Sequence, residues 1–138
     1  MKQWTFYLMA ALALACSSCG NGIYPVSGKV TYNGAPAKGA VVSLQRRGAN
    51  LMNEPAIMGL VRDDGAFSLV CGDKGTGAPP GDYDVLIEWR PPSTLPKGLA
   101  KQTPDRLGGR YADPKNPRLH AEIKTGTNSL APFELKDN

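Results

Sequence analysis

Histidine is almost missing from this chain: His120 stands alone among 138 residues. Imidazole-based catalysis therefore has a single candidate. His120 falls on the wet parity of an alternating stretch, and no serine or cysteine motif accompanies it. No nucleophile elbow is present. Cysteine is nearly as scarce, at three residues. Cys16-Ser17-Ser18-Cys19 adjoins an apolar leader and has no second ligand pair to complete a metal site. Cys71 reads as a small core hydrophobe, with a pairing to Cys19 left open in an oxidising compartment. Amphipathic helix periodicity is absent. These absences predict a non-enzyme with no catalytic set, no metal and no cofactor.

Glycine and proline are plentiful instead, at 16 and 12 residues. Spread between short apolar runs, they predict many turns and an all-β fold. The clearest strand lies in Pro79–Trp89, PPGDYDVLIEW. Tyr83, Val85, Ile87 and Trp89 share one parity, facing a core. Asp82, Asp84 and Glu88 share the other, broken only by Leu86. Prolines stop the strand at both ends, since proline cannot donate to a ladder.

The leader has its own logic. Met1-Lys2-Gln3 is a short positive start, and Trp4–Ala15 is free of charge. Twelve residues are too few for a permanent span, which needs about twenty. Residues 1–15 are read as a signal peptide. The run ends in Leu12-Ala13-Leu14-Ala15-Cys16, which resembles a bacterial lipobox. That resemblance implies acylation of Cys16 and attachment to a lipid bilayer; Cys19, preceded by Cys16-Ser17-Ser18, is the rival. Ser17 after the cysteine allows outer-membrane sorting. The expectation is an exported lipoprotein with a tether over 16–23 and one domain over 24–138.

Seven strands are expected in that domain. They lie in Tyr24–Tyr32, Ala40–Gln45, Ile57–Arg62, Ala66–Val70, the Pro79–Trp89 stretch, Leu119–Lys124 and Leu130–Leu135. Asp63-Asp64-Gly65 is expected at the tip of a hairpin, as turn chemistry rather than a calcium loop. The glycine-rich stretch Gly72–Gly81 leads into a strand and lacks the ending of a phosphate loop.

Arg90–Arg118 is long, proline-rich and basic. Seven cations face only Asp105 and Asp113, a net charge of +5 in a chain of +4. Arg90, Lys97, Lys101, Arg106, Arg110 and Tyr111 are its candidate binding residues, with Leu107 and Tyr111 as apolar anchors. The partner they suit is an anionic envelope polymer, glycan or protein. Nucleic acid is not expected, for the segment lacks regularly interleaved aromatics.

The ordered set VSGKVTYNGAPAKGAVVSL, RDDGAFSLV and PPGDYDVLIEW resembles the carboxypeptidase regulatory-like domain of the transthyretin-like superfamily. The resemblance covers about residues 24–136. It implies a seven-stranded, Ig-like antiparallel β-sandwich, here with one long proline-rich loop. It also implies a non-catalytic module serving binding, stability or surface presentation.

Overall fold

A computed structural model describes residues 22–50, 52–98 and 103–137. The leader with Cys16 and Cys19, and Lys101 of the loop, lie outside the described residues. All regular structure among the described residues is β. In chain order the strands are β1 (Val26–Tyr32), β2 (Ala35–Pro36), β3 (Val41–Arg46), β4 (Ile57–Leu60), β5 (Ala66–Ser68), β6 (Val70–Cys71), β7 (Gly81–Glu88), β8 (Leu119–Ile123), β9 (Asn128–Ser129) and β10 (Phe133–Leu135). Ten strands form where the periodicity predicts seven. The extra pieces, β2, β6 and β9, are two residues each, too short for alternation to show.

The strands make two five-stranded sheets around one apolar core. Sheet two runs β6-β4-β3-β7-β8 and is antiparallel throughout. Sheet one is built on β1, which pairs with β2, β5, β9 and β10. Its pairings with β9 and β10 are parallel, so the sandwich is mixed rather than wholly antiparallel. The reason is topological. β8 belongs to sheet two, and the chain then crosses to sheet one, as a parallel partner must.

The period-two reading of β7 matches its burial. Tyr83, Val85 and Ile87 face the core and are buried. Asp82 is exposed, and Asp84 and Glu88 are half-buried. Leu86 shares the outer face with them, opposite Ser43, yet is only 6% exposed and stands outside the core cluster. Cys71 is buried in the core. At the start of β7 the Tyr83 hydroxyl donates to the Pro79 carbonyl at 2.8 Å, and Arg46 donates to the hydroxyl at 3.0 Å. Burial pushes the Tyr83 phenol above its ordinary value, against the opposing charge of Arg46.

The expected hairpin at Asp63-Asp64-Gly65 forms differently. The turn is there, with Arg62 N–H donating to Ala66 O. Its arms then part: β4 stays with β3 in sheet two, while β5 pairs with β1 in sheet one. The chain returns to sheet two at β6, after Leu69 alone. Gly59 permits this crossing. A Cβ there would stand 2.4 Å from the carbonyl oxygen of Ser68. Periodicity shows which face is apolar but not which sheet claims it.

Gly72–Gly81 also has a packing role. Tyr24 and Ala78 exchange two backbone hydrogen bonds of 3.0 Å, closing the entrance to β1. Gly77 lies against that bridge with φ of 118°, and a Cβ on it would meet Tyr24 O at 1.9 Å.

Truncating Ile87 to alanine should lower unfolding free energy by about 2–5 kcal/mol, as removal of a packed core side chain does. Equilibrium urea denaturation measures this. A loss under about 0.5 kcal/mol would place Ile87 outside a tightly packed core.

Candidate functional site on the long loop

The segment after β7 begins exposed and ends docked. Residues 91–98, Lys97 among them, are all exposed. From Thr103 the chain lies against the sandwich, and Asp105 organises it. One carboxylate oxygen accepts from Trp89 N–H at 2.9 Å and from Leu107 N–H at 3.0 Å. The other accepts from Gly109 N–H at 3.0 Å. Arg106 N–H donates in turn to Trp89 O at 2.8 Å. Leu107 is buried in the core, and Ile87 N–H donates to Tyr111 O at 2.8 Å. Tyr111 is half-buried and packs on the core cluster, with the Arg118 guanidinium 5.9 Å from its ring centre.

The predicted cations divide by what they touch. Arg106 lies over the Trp89 indole, 4.0 Å from the ring centre. Tyr32 meets the same ring edge-on at 5.4 Å, and the indole N–H donates to Lys38 O at 2.8 Å. Trp89 thus belongs to the core, as its parity predicts, with Arg106 as its outer cover. Arg90 pairs with Glu88 and donates to Thr103 O at 2.7 Å. Arg110 approaches Asp137 at 3.8 Å and Lys136 O at 3.4 Å, and its Nε is buried without a hydrogen-bond partner among the described residues. Asp137 also accepts from the Tyr32 hydroxyl, and from the Asn33 amide at 2.9 Å. The bond from Tyr32 is the main cause holding Asp137 below the usual carboxylate range; the same bond raises the Tyr32 phenol. Arg106, Arg110 and Tyr111 therefore sit on one end of the sandwich, around Trp89 and Tyr32.

Two working residues escaped sequence reasoning. Asp105 counts there only as a charge opposing the cations, although an aspartate in a glycine-containing loop readily accepts from the backbone two residues on, as it does here from Leu107. Arg47 is the other. It donates to Asp84 at 2.9 Å, and its Nη2 lies 2.6 Å from His120 Nδ1. His120 Nδ1 lies 2.9 Å from the same Asp84 oxygen. The register sets Asp84 opposite His120 on the outer face of sheet two, and no sequence pattern announces that pairing. The hydrogen bond from Arg47 is the largest cause of the lowered Asp84 carboxyl, with His120 adding to it against desolvation.

No family model and no curated protein matches the chain. Among solved structures it is similar to a DUF3823 family protein from Bacteroides ovatus ATCC 8483, with a TM-score of 0.43 and 14% identity. The match covers 82% of this chain and 44% of that one, so the chain spans less than half that protein's length.

Two outcomes test these contacts. Asp105→Ala removes the acceptor of three backbone donors, two of them on the buried residues Trp89 and Leu107. It should cost about 1–3 kcal/mol, and hydrogen exchange at Leu107 and Gly109 should accelerate. Unchanged exchange at both amides would mean the loop is held by other means. The Asp84 carboxyl is depressed in the folded state, so its contribution is present above the unfolded value near about 4. It is lost as pH falls through the lower folded value. Asp84→Asn should therefore lower the urea midpoint at pH 7, with the gap to wild type closing toward pH 3. A gap independent of pH would remove Asp84 from the ion-pair network.

Proposed function

We propose that this chain is an exported, lipid-anchored protein of the cell envelope. Its β-sandwich then serves a non-catalytic, structural or presentation role, most simply at the outer membrane. The charge-free run Trp4–Ala15 ending at Ala15-Cys16 carries this reading. It fits a cleaved leader followed by an acylated Cys16, and several acyl chains give stable attachment. The chain enters the sandwich at Tyr24, leaving a tether of eight residues over 16–23. Fully extended, those residues reach at most about 28 Å, which keeps the domain near the bilayer. The motif order supports a carboxypeptidase regulatory-like domain of Ig-like, transthyretin-like type, with seven principal strands.

The second reading makes loop 90–118 a grip for an anionic polymer, glycan or protein. Its charge favours it, and the loop's own contacts weigh against it. Arg106 covers Trp89, Arg90 ties Glu88 to Thr103, and Arg110 lies beside Asp137. Cations already engaged in holding a loop down are poorly placed to hold something else.

Mass spectrometry of the mature N-terminus should find diacylglyceryl and acyl groups on Cys16, and Cys16→Ser should move the protein from the membrane to the soluble fraction. An unmodified Cys16, or acylation at Cys19 instead, would overturn the assignment. For the second reading the useful variant is Lys97→Gln with Lys101→Gln, because changing Arg106 would also remove the cover from Trp89. If those two lysines carry polyanion binding, it should fall steeply between low and physiological salt.

A further inference from the structure

We propose that the outer face of sheet one holds a binding site for a phosphate-type oxyanion, built from Ser27, Lys29, Arg62 and Ser129. The floor follows from strand register. Ser27 on β1 stands opposite Ser68 on β5 and next to Ser129 on β9, which sets three exposed serines in one row. The next rung on the same face pairs Lys29 with Ala66. Small side chains on three adjacent strands leave a depression. Its volume is about 410 Å³, and its lining includes Lys29 and Arg62 together with the apolar Phe67, Leu130 and Pro132.

The chemistry of this hollow is one-signed. No carboxylate lies within ion-pairing distance of Lys29 or Arg62 among the described residues. Asp64 is the nearest acid in the turn, but its carboxylate accepts from Ala66 N–H at 3.0 Å. That bond is the main cause of its lowered carboxyl, and the positive charges of Arg62 and Lys29 add to it. Glu134 is on this face too, opposite Thr31, without pairing to either cation. None of the three serine hydroxyls bonds another described residue, so each is free to donate. An ammonium, a guanidinium and hydroxyls match the acceptor oxygens of a phosphate, and charge-assisted bonds of this kind are the strong ones. The apolar wall of Leu130 and Pro132 lowers the local dielectric and strengthens the attraction.

This site is separate from the basic loop. Ser27 is near the start of β1, whereas Trp89 with its Arg106 meets Tyr32 at the other end of that strand. Five steps along the strand lead from Ser27 to Tyr32, about 17 Å. The oxyanion has two natural sources, a soluble phosphate ester or the phosphodiester of a lipid headgroup.

Isotope-labelled full-length chain in detergent solution, titrated with sodium phosphate, distinguishes these cases against sodium chloride of equal ionic strength. The amides of Ser27, Lys29, Ala66 and Ser129 should shift and saturate with phosphate only. Lys29→Gln with Arg62→Gln should weaken binding roughly tenfold or more, since two charge-assisted bonds are lost. Its unfolding midpoint should stay unchanged, and Lys97→Gln should bind as wild type. Flotation with phosphatidylcholine vesicles, with and without phosphatidylglycerol, separates the sources. Retention on the anionic vesicles that requires Lys29 and Arg62 assigns the lipid headgroup, and saturable phosphate binding without vesicle preference assigns a soluble ester. Shifts equal in chloride, shifts that never saturate, or binding untouched by the double change would overturn the site.

Discussion

Strand β7 is laddered on both sides, to β3 over six rungs and to β8 over five, and the domain depends on that arrangement. A doubly paired strand with Tyr83, Val85 and Ile87 turned inward leaves neither its backbone nor its inner side chains to water. Each end is then closed by a side chain acting on the backbone. Tyr83 and Arg46 hold the proline-rich approach, and Asp105 holds the exit at Trp89. The long loop is thus an extension of β7's hydrogen bonding. Where the ladder stops, Asp105 supplies acceptors and Tyr111 supplies a carbonyl for Ile87.

The same logic explains where the loop's charge goes. A net +5 in one segment looks like a footprint for a polyanion, yet much of it is met inside the molecule. Indole, carbonyl and carboxylate groups receive Arg106, Arg90 and Arg110 in turn. The hollow on sheet one reverses the pattern. It holds two cations, few enough to pass unnoticed in composition, and among the described residues neither has a carboxylate partner. Local pairing, rather than net charge, decides which cations can meet a ligand.

Period-two alternation was enough to place β1, β7 and β8 and to sort β7's faces, because a half-buried strand repeats its environment every second residue. It also put Trp89 inside. It failed where neighbours far along the chain decide. The parting of β4 and β5 depends on Gly59 admitting the Ser68 carbonyl. The parallel pairing of β1 depends on a segment about a hundred residues later. The site residues divide the same way. Arg106, Arg110 and Tyr111 stood out by composition, but their partners Trp89 and Asp137 are set by the fold. The serine row and the Arg47–Asp84–His120 trio arise from register, which lies between strands and is written in none of them.

Parallel pairing of β1 with β9 and β10 sets an order in time. Ribosomes make chains from the N-terminus, so β1 is among the first segments available. Its ladder waits for Asn128–Leu135, made about a hundred residues after it. Until they arrive, β1 has only β2 and β5 beside it, and one flank of Val26 and Val30 stays open. A domain wired this way cannot finish one residue at a time as it emerges. It closes in a late step that joins β1 to β9 and β10, and long-range closure of this kind is slow. Without Asn128–Leu135 the first strand would keep β2 and β5 but lose both parallel partners, so damage late in the domain is felt at its start.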